Sequence, residues 1–111
     1  MINIIFEQKP EERTVRLDVH GHAGQAQTGQ DIVCASVSIL TYTVANAVKN
    51  SEFEGKVDDV TISMKKGNAT ICATAKDEDT YVELIRILFA ITDGYGLLEG
   101  AFPQYVAFKR R

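Results

Sequence analysis

Asp31-Ile32-Val33-Cys34-Ala35-Ser36-Val37-Ser38-Ile39-Leu40-Thr41-Tyr42-Thr43-Val44-Ala45-Asn46-Ala47-Val48-Lys49-Asn50 can be read as strand or as helix, and the choice decides whether one helix or two cover the sheet. Its many β-branched residues lower helix propensity and suit a strand. Its length favours a helix, because strands usually run roughly 3–10 residues. Val33, Val37, Leu40, Val44 and Val48 form an apolar stripe at helical spacing, and Ile32, Ile39 and Tyr42 add a second apolar side. A helix from Ile32 to about Asn50, buried on most faces, is therefore predicted. Asp31 suits its N-cap, since a carboxylate there can accept from the free N–H groups of the first turn. Ser36, Ser38, Thr41, Thr43 and Asn46 interrupt the apolar run, which falls short of the roughly 20 residues of a membrane span.

The residues on either side alternate with the period of strands. Ile2, Ile4 and Phe6 face one way against Asn3 and Glu7; after the polar turn Lys9-Pro10-Glu11-Glu12, Val15, Leu17 and Val19 alternate with Arg16, Asp18 and His20. The two form a hairpin. Gly21-His22-Ala23-Gly24 ends the second strand, and Gln25-Ala26-Gln27-Thr28-Gly29-Gln30 reads as a mobile loop. Downstream, Val60, Ile62 and Met64 pair across Lys66-Gly67-Asn68 with Ala69, Ile71, Ala73 and Ala75 in a second hairpin. Asp77 or Asp79 caps a second helix carrying Tyr81, Leu84, Ile85, Leu88, Phe89 and Ile91. Thr80-Tyr81-Val82-Glu83 fits a capping box, and Gly94 or Gly96 stops the helix. Pro103 can open a final strand with Tyr105, Val106 and Phe108 behind it. The order ββαββαβ predicts an α+β fold, a two-layer sandwich of an antiparallel-dominated sheet and two helices.

Length and charge bound the function. The 111 residues suit a single domain spanning 1–111. A net charge of −3 and pI near 5.3, with dense basic runs only at Lys65-Lys66 and Lys109-Arg110-Arg111, disfavour direct nucleic-acid binding. Two cysteines and no basic-led apolar leader argue against a secreted disulfide scaffold and point to the reducing cytoplasm. No Gly-rich loop ending in Lys-Ser/Thr is present, so an NTP-driven role is disfavoured and no cofactor is expected.

Cys34 is the residue best placed for chemistry. With Asp31 as cap it is the third helical residue, and its sulfur leans toward the unpaired N–H groups of that turn. Those donors and the positive helix end favour thiolate, and could also hold an oxyanion. His22, at the strand end where the loop begins, can fold back to meet that sulfur as its base. Gly21 and Ala23 leave room beside it for a substrate backbone. Asp31 could orient His22 as well as cap the helix. Ser38 lies one turn after Cys34 and shares a small-sided face with Thr41 and Ala45, suited to the floor of a pocket. His20 reads as a solvated histidine on the polar strand face with Arg16 and Asp18, and Cys72 as an inert strand residue.

Gly21-His22-Ala23 followed by Asp31-Ile32-Val33-Cys34-Ala35-Ser36-Val37-Ser38 resembles the bacterial ribosomal-processing cysteine protease (Prp) family, and the layout and length agree over essentially the whole chain. The resemblance implies a cysteine endopeptidase that removes a short N-terminal extension from a large-subunit ribosomal protein, cutting after aromatic residues. It implies a homodimer, with His22 and Cys34 matching the family's histidine and cysteine, and Asp31 and Ser38 matching its motif. Ser36 stands where the family has an alanine or small residue. The loop between Ala23 and Gln30, hinged at Gly24 and Gly29, is expected to close over the peptide.

Two other readings fit the residues. A non-enzymatic ribosome-assembly binding module predicts an unreactive Cys34. A metal-dependent hydrolase would use His20 and His22 as strand-face ligands, joined by Asp18 or Cys34, though no further ligand converges clearly on them and no metal is expected.

Overall fold

The computed structural model describes residues 1–22 and 28–111, with side chains described for 1–22 and 32–111. The elements follow the predicted order: β1 (Ile2–Lys9), β2 (Thr14–Gly21), α1 (Thr28–Phe53), β3 (Val57–Lys65), β4 (Asn68–Ala75), α2 (Glu78–Ala101) and β5 (Val106–Arg110), with a 3-10 turn at Pro10–Glu12 between β1 and β2. Period-2 alternation does what it promises: Ile2, Ile4 and Phe6 of β1 and Val15, Leu17 and Val19 of β2 are buried, while Arg16 and His20 are exposed. Two such strands bury one face only, and both helices supply the cover.

The strands lie in the order β3-β4-β2-β1-β5. The β1–β2, β2–β4 and β3–β4 pairs are antiparallel and β1–β5 is parallel. These directions make β2 parallel to β3 and β4 parallel to β5, so each helix is a crossover. α1 carries the chain over β4 and α2 carries it over β2 and β1. The helices pack on each other, α1 against β3 and β4, α2 against β5 and β4.

Several boundaries differ from the sequence reading. α1 starts at Thr28, so Thr28, Gly29 and Gln30 belong to the helix rather than to a loop. Adding residues to an existing helix costs little, and Gly29 costs it only about 1 kcal/mol. Asp31 is then the fourth helical residue, not the N-cap, and Gly29 is not a loop hinge. The rest of the expected closing loop, Ala23 to Gln27 with Gly24, lies outside the described residues, as does any contact of the Asp31 side chain.

α1 is also not buried on most faces. Val33, Val44 and Val48 are at most 1% exposed, whereas Ile32, Ile39 and Tyr42 are more than half exposed. One helix over one sheet covers a single stripe, and the second apolar side faces outward. The segment Ile32–Phe53 is long and apolar enough to cross a bilayer on length and composition; here it lies along the sheet.

In α2 the capping box joins Asp77 and Thr80, not Thr80 and Glu83. Asp77 accepts from the Thr80 N–H at 2.9 Å and Thr80 Oγ1 accepts from the Asp77 N–H at 3.3 Å. Nor does the helix stop at Gly94 or Gly96; it runs to Ala101. Gly94 is instead where α1 comes close, since a β-carbon there would fall 2.7 Å from Leu40 Cδ2. Pro103 sits in the turn before β5, which begins at Val106 because Tyr105 and Val106 still hydrogen-bond back to the Phe102 carbonyl.

Candidate active site

Where the ends of β1 and β2 meet the β3–β4 turn, α1 stands opposite and a cleft of about 420 Å³ opens between them. Strand alternation alone would leave His22 on the outer face with His20. At Gly21 the backbone departs from that path, with φ +103°, and His22 lines the cleft beside the inner-face residues Val19 and Ala69. Gly21 is required here for two reasons: its φ is unfavourable with a β-carbon, and a β-carbon would collide with the Met1 carbonyl. Its N–H donates to the Gly67 carbonyl at 3.0 Å, and the Met1 nitrogen donates to the His22 carbonyl at 2.7 Å. The room that Gly21 offers is thus filled by the Met1 backbone.

From the other wall, α1 presents Cys34, Ser38 and Thr41 to the same cleft, one helical turn apart in succession. Cys34 is exposed, so it is not a core residue. The structure therefore brings together His22, Cys34 and Ser38, places Gly21 in the adjoining wall, and assigns Asp31 only a helical backbone position. It does not give Cys34 the helix-start setting expected for it. The unpaired N–H groups of a helix belong to its first four residues, here 28–31, and Cys34 is the seventh. Both the dipole argument for thiolate and the oxyanion role of that turn fall with it, because the dipole effect fades within the first turn.

Two contributors were not legible in sequence. Gly67, read only as a turn residue, carries the His22 ring on its Cα: a β-carbon there would fall 2.5 Å from Nε2. Tyr95 is wholly buried beneath the cleft floor. Thr41 gives its proton to the Val37 carbonyl at 2.8 Å, so the 2.7 Å contact between Thr41 and Tyr95 has the phenol donating. Burial raises the Tyr95 pKa well above its usual value, and that keeps the phenol a donor. Continuing the spacing Tyr81, Leu84, Leu88 past Gly94 would have found it; nothing local could have paired Gly67 with His22.

His20 and Cys72 are placed as expected. On the outer face Asp18 accepts from Arg16 at 2.8 Å and from Thr70 at 2.8 Å. Burial opposes ionisation of Asp18, but these bonds and the Arg16 charge outweigh it and hold the carboxyl below its usual range. Cys72 pairs across from Arg16 on that sheet, away from the cleft. His20 is exposed and does not line the cleft, and among the described residues no group of three or more His, Cys, Asp or Glu is placed to hold a metal. The metal-hydrolase reading has no support in this geometry.

Comparison with known proteins bears on the same cleft. The chain superposes over its full length on the full length of an essential ribosomal processing protease Prp from S. aureus, with TM-score 0.69 and 18% identity. That protease is known in complex with a substrate peptide and with a covalently linked product peptide. SMU.848 from Streptococcus mutans is 26% identical, with TM-score 0.67 over 99% of this chain and 93% of that one. Among curated protein sequences none matches. A sequence model of the family described as cysteine protease Prp matches residues 1–104. That match takes in both walls of the cleft, its thiol and its imidazole: the chain belongs to the cysteine protease Prp family.

Proposed function

We propose that this cysteine protease acts in the bacterial cytoplasm and removes a short N-terminal extension from a large-subunit ribosomal protein, cutting after aromatic residues, with Cys34 as nucleophile and His22 as its base. The observation that carries the reading is the convergence of an exposed thiol and an imidazole from separate elements on one cleft. The S. aureus relative, whose fold the chain shares, binds a substrate peptide and a covalently linked product peptide. Val37 and Met64 give the cleft apolar wall suited to an aromatic side chain.

His22 takes the Cys34 proton as the sulfur attacks the scissile carbonyl carbon. The tetrahedral intermediate collapses by breaking the C–N bond, and His22 passes its proton to the departing amine. Water then attacks the thioester, giving a proton to His22 and releasing the acid, and the proton returns to the sulfur.

The same reading includes a homodimer. Ile32, Ile39, Asn46 and Phe53 recur every seven residues, with Ala35, Tyr42 and Lys49 between them, and all seven are exposed. That spacing suits a helix that pairs with another helix, and it supports α1 as the dimer face. Incubation of the chain with candidate extension peptides, with mass spectrometry locating the cut, tests the substrate. Cleavage after the aromatic residues is expected; peptides left intact under all conditions, or a cut elsewhere, would overturn it.

A further inference from the structure

Among the described residues, glycine adopts the same left-handed backbone in two turns, at Gly55 and Gly67, both at φ +75°. A β-carbon on Gly55 would meet nothing within 4 Å. One on Gly67 would clash with the His22 imidazole, 2.5 Å from Nε2 and 3.3 Å from Nδ1. Turn geometry explains both glycines; it does not explain why an imidazole lies flush on one of them. The Gly67 carbonyl also accepts the N–H of Gly21, the residue before His22. The β3–β4 turn thus meets this corner twice, through the bond to the Gly21 N–H and through the close approach of Gly67 to the His22 ring.

We propose that Gly67 is a positioning residue for the proteolytic reaction: the bare Cα of Gly67 is the seat that sets where the His22 ring stands in the cleft. The inference rests on His22 being the base. Any β-carbon at 67 must push the ring off that seat, and displacement of a catalytic group by about 1 Å can cost roughly a hundredfold in rate. Gly67 lines the cleft, but the apolar side chains assigned to the peptide, Val37 of α1 and Met64 of β3, are left unaltered, so the loss should fall on kcat and leave KM nearly unchanged.

The test compares Gly67→Ala, Gly67→Asn, Gly55→Ala and His22→Ala for peptide cleavage and melting temperature. Gly55→Ala carries the same backbone strain with no ring nearby, so it should lose a similar amount of stability and keep its activity. Asn tolerates the left-handed region better than Ala, yet it brings a β-carbon. Gly67→Asn should therefore regain stability relative to Gly67→Ala and remain slow. Expected for both Gly67 variants is a kcat lower by roughly a hundredfold with KM within about twofold. The proposal is overturned if Gly67→Ala cleaves at the unsubstituted rate, if Gly67→Asn restores kcat, or if Gly55→Ala loses as much. Full activity in His22→Ala would instead remove the catalytic reading itself, so the two failures are distinguishable.

Discussion

The two helices are nearly equal in length and lie side by side as crossovers on one sheet, yet they spend their residues differently. α2 is fastened along its length. Asp77 caps its start, Lys56 reaches Glu83 at 2.8 Å, and at its middle Arg110 of β5 bonds the Phe89 carbonyl, Thr92 and Asp93 while stacking 4.3 Å from the Phe89 ring. α1 is fastened chiefly by its buried valine stripe and by Leu40 seated on Gly94. Its remaining surface carries Cys34 and Ser38 toward the cleft and a heptad stretch with Lys49 as its one charge outward. A helix that presents an exposed thiol to a cleft and apolar side chains outward leaves less surface for polar fastening, and most of that fastening lies on its neighbour.

The sharpest break of that comparison uses the two thiols. Cys34→Ala should abolish cleavage of an extension peptide while leaving the melting temperature close to that of the unsubstituted chain, because an exposed side chain gives up little packing. Cys72→Ala should cut at the normal rate. Any residual cutting by Cys34→Ala at the wild-type rate would refute Cys34 as nucleophile, and a dead Cys72→Ala would show that the outer face takes part in the reaction.

Next in size is the outward seam. Placing a carboxylate in the middle of an apolar interface leaves a buried, unpaired charge. Ile39→Glu should therefore sediment as a monomer at concentrations where the unsubstituted chain is dimeric, with its melting temperature lowered only by loss of the dimer. The equivalent exposed apolar position on α2, Leu97, which is 76% exposed, should tolerate the same change without altering the oligomeric state. If Leu97→Glu dissociates the dimer and Ile39→Glu does not, the interface lies on the wrong helix.

What the sequence disclosed was mostly what repeats with a period. Alternation in β1, β2 and β4 and the valine stripe of α1 are statements about neighbours two to four residues apart, and the order ββαββαβ follows from them. The limits of α1 and α2 did not follow, because glycine at 29, 94 and 96 reads locally as a helix breaker. At Gly94 it is instead a place for Leu40 from another helix to sit, a fact that exists only after packing. The outward turn of Ile32, Ile39 and Tyr42 depends on how much sheet there is to cover, which no window of sequence contains. The site divides the same way. His22 and Cys34 were visible as residue types at a spacing that suits them, while Gly67 under the imidazole and Tyr95 under Thr41 join positions more than forty residues apart.

The mildest effect belongs to the best-fastened point of α2, and it carries a pH signature. The Asp77 carboxylate accepts from the Thr80 N–H at 2.9 Å and from the Thr80 hydroxyl at 2.8 Å. The backbone bond first, then the side-chain bond, hold its carboxyl below the ordinary aspartate value of 3.8. Folding therefore favours the ionised form. The contribution is present in full above the unfolded-state value near 3.8 and fades as the pH falls through the lower folded-state value. Asp77→Ala should melt a few degrees below the unsubstituted chain at neutral pH. The gap between the two should narrow as the solution is acidified below about pH 3.8, while Cys34→Ala shows no such convergence. A gap that stayed constant down to pH 2 would mean that the cap holds α2 by its hydrogen-bonding shape and not by its charge. Because α2 lies against α1 and Tyr95 braces Thr41, loosening this distant cap should leave KM alone and lower activity only at temperatures where α2 begins to open.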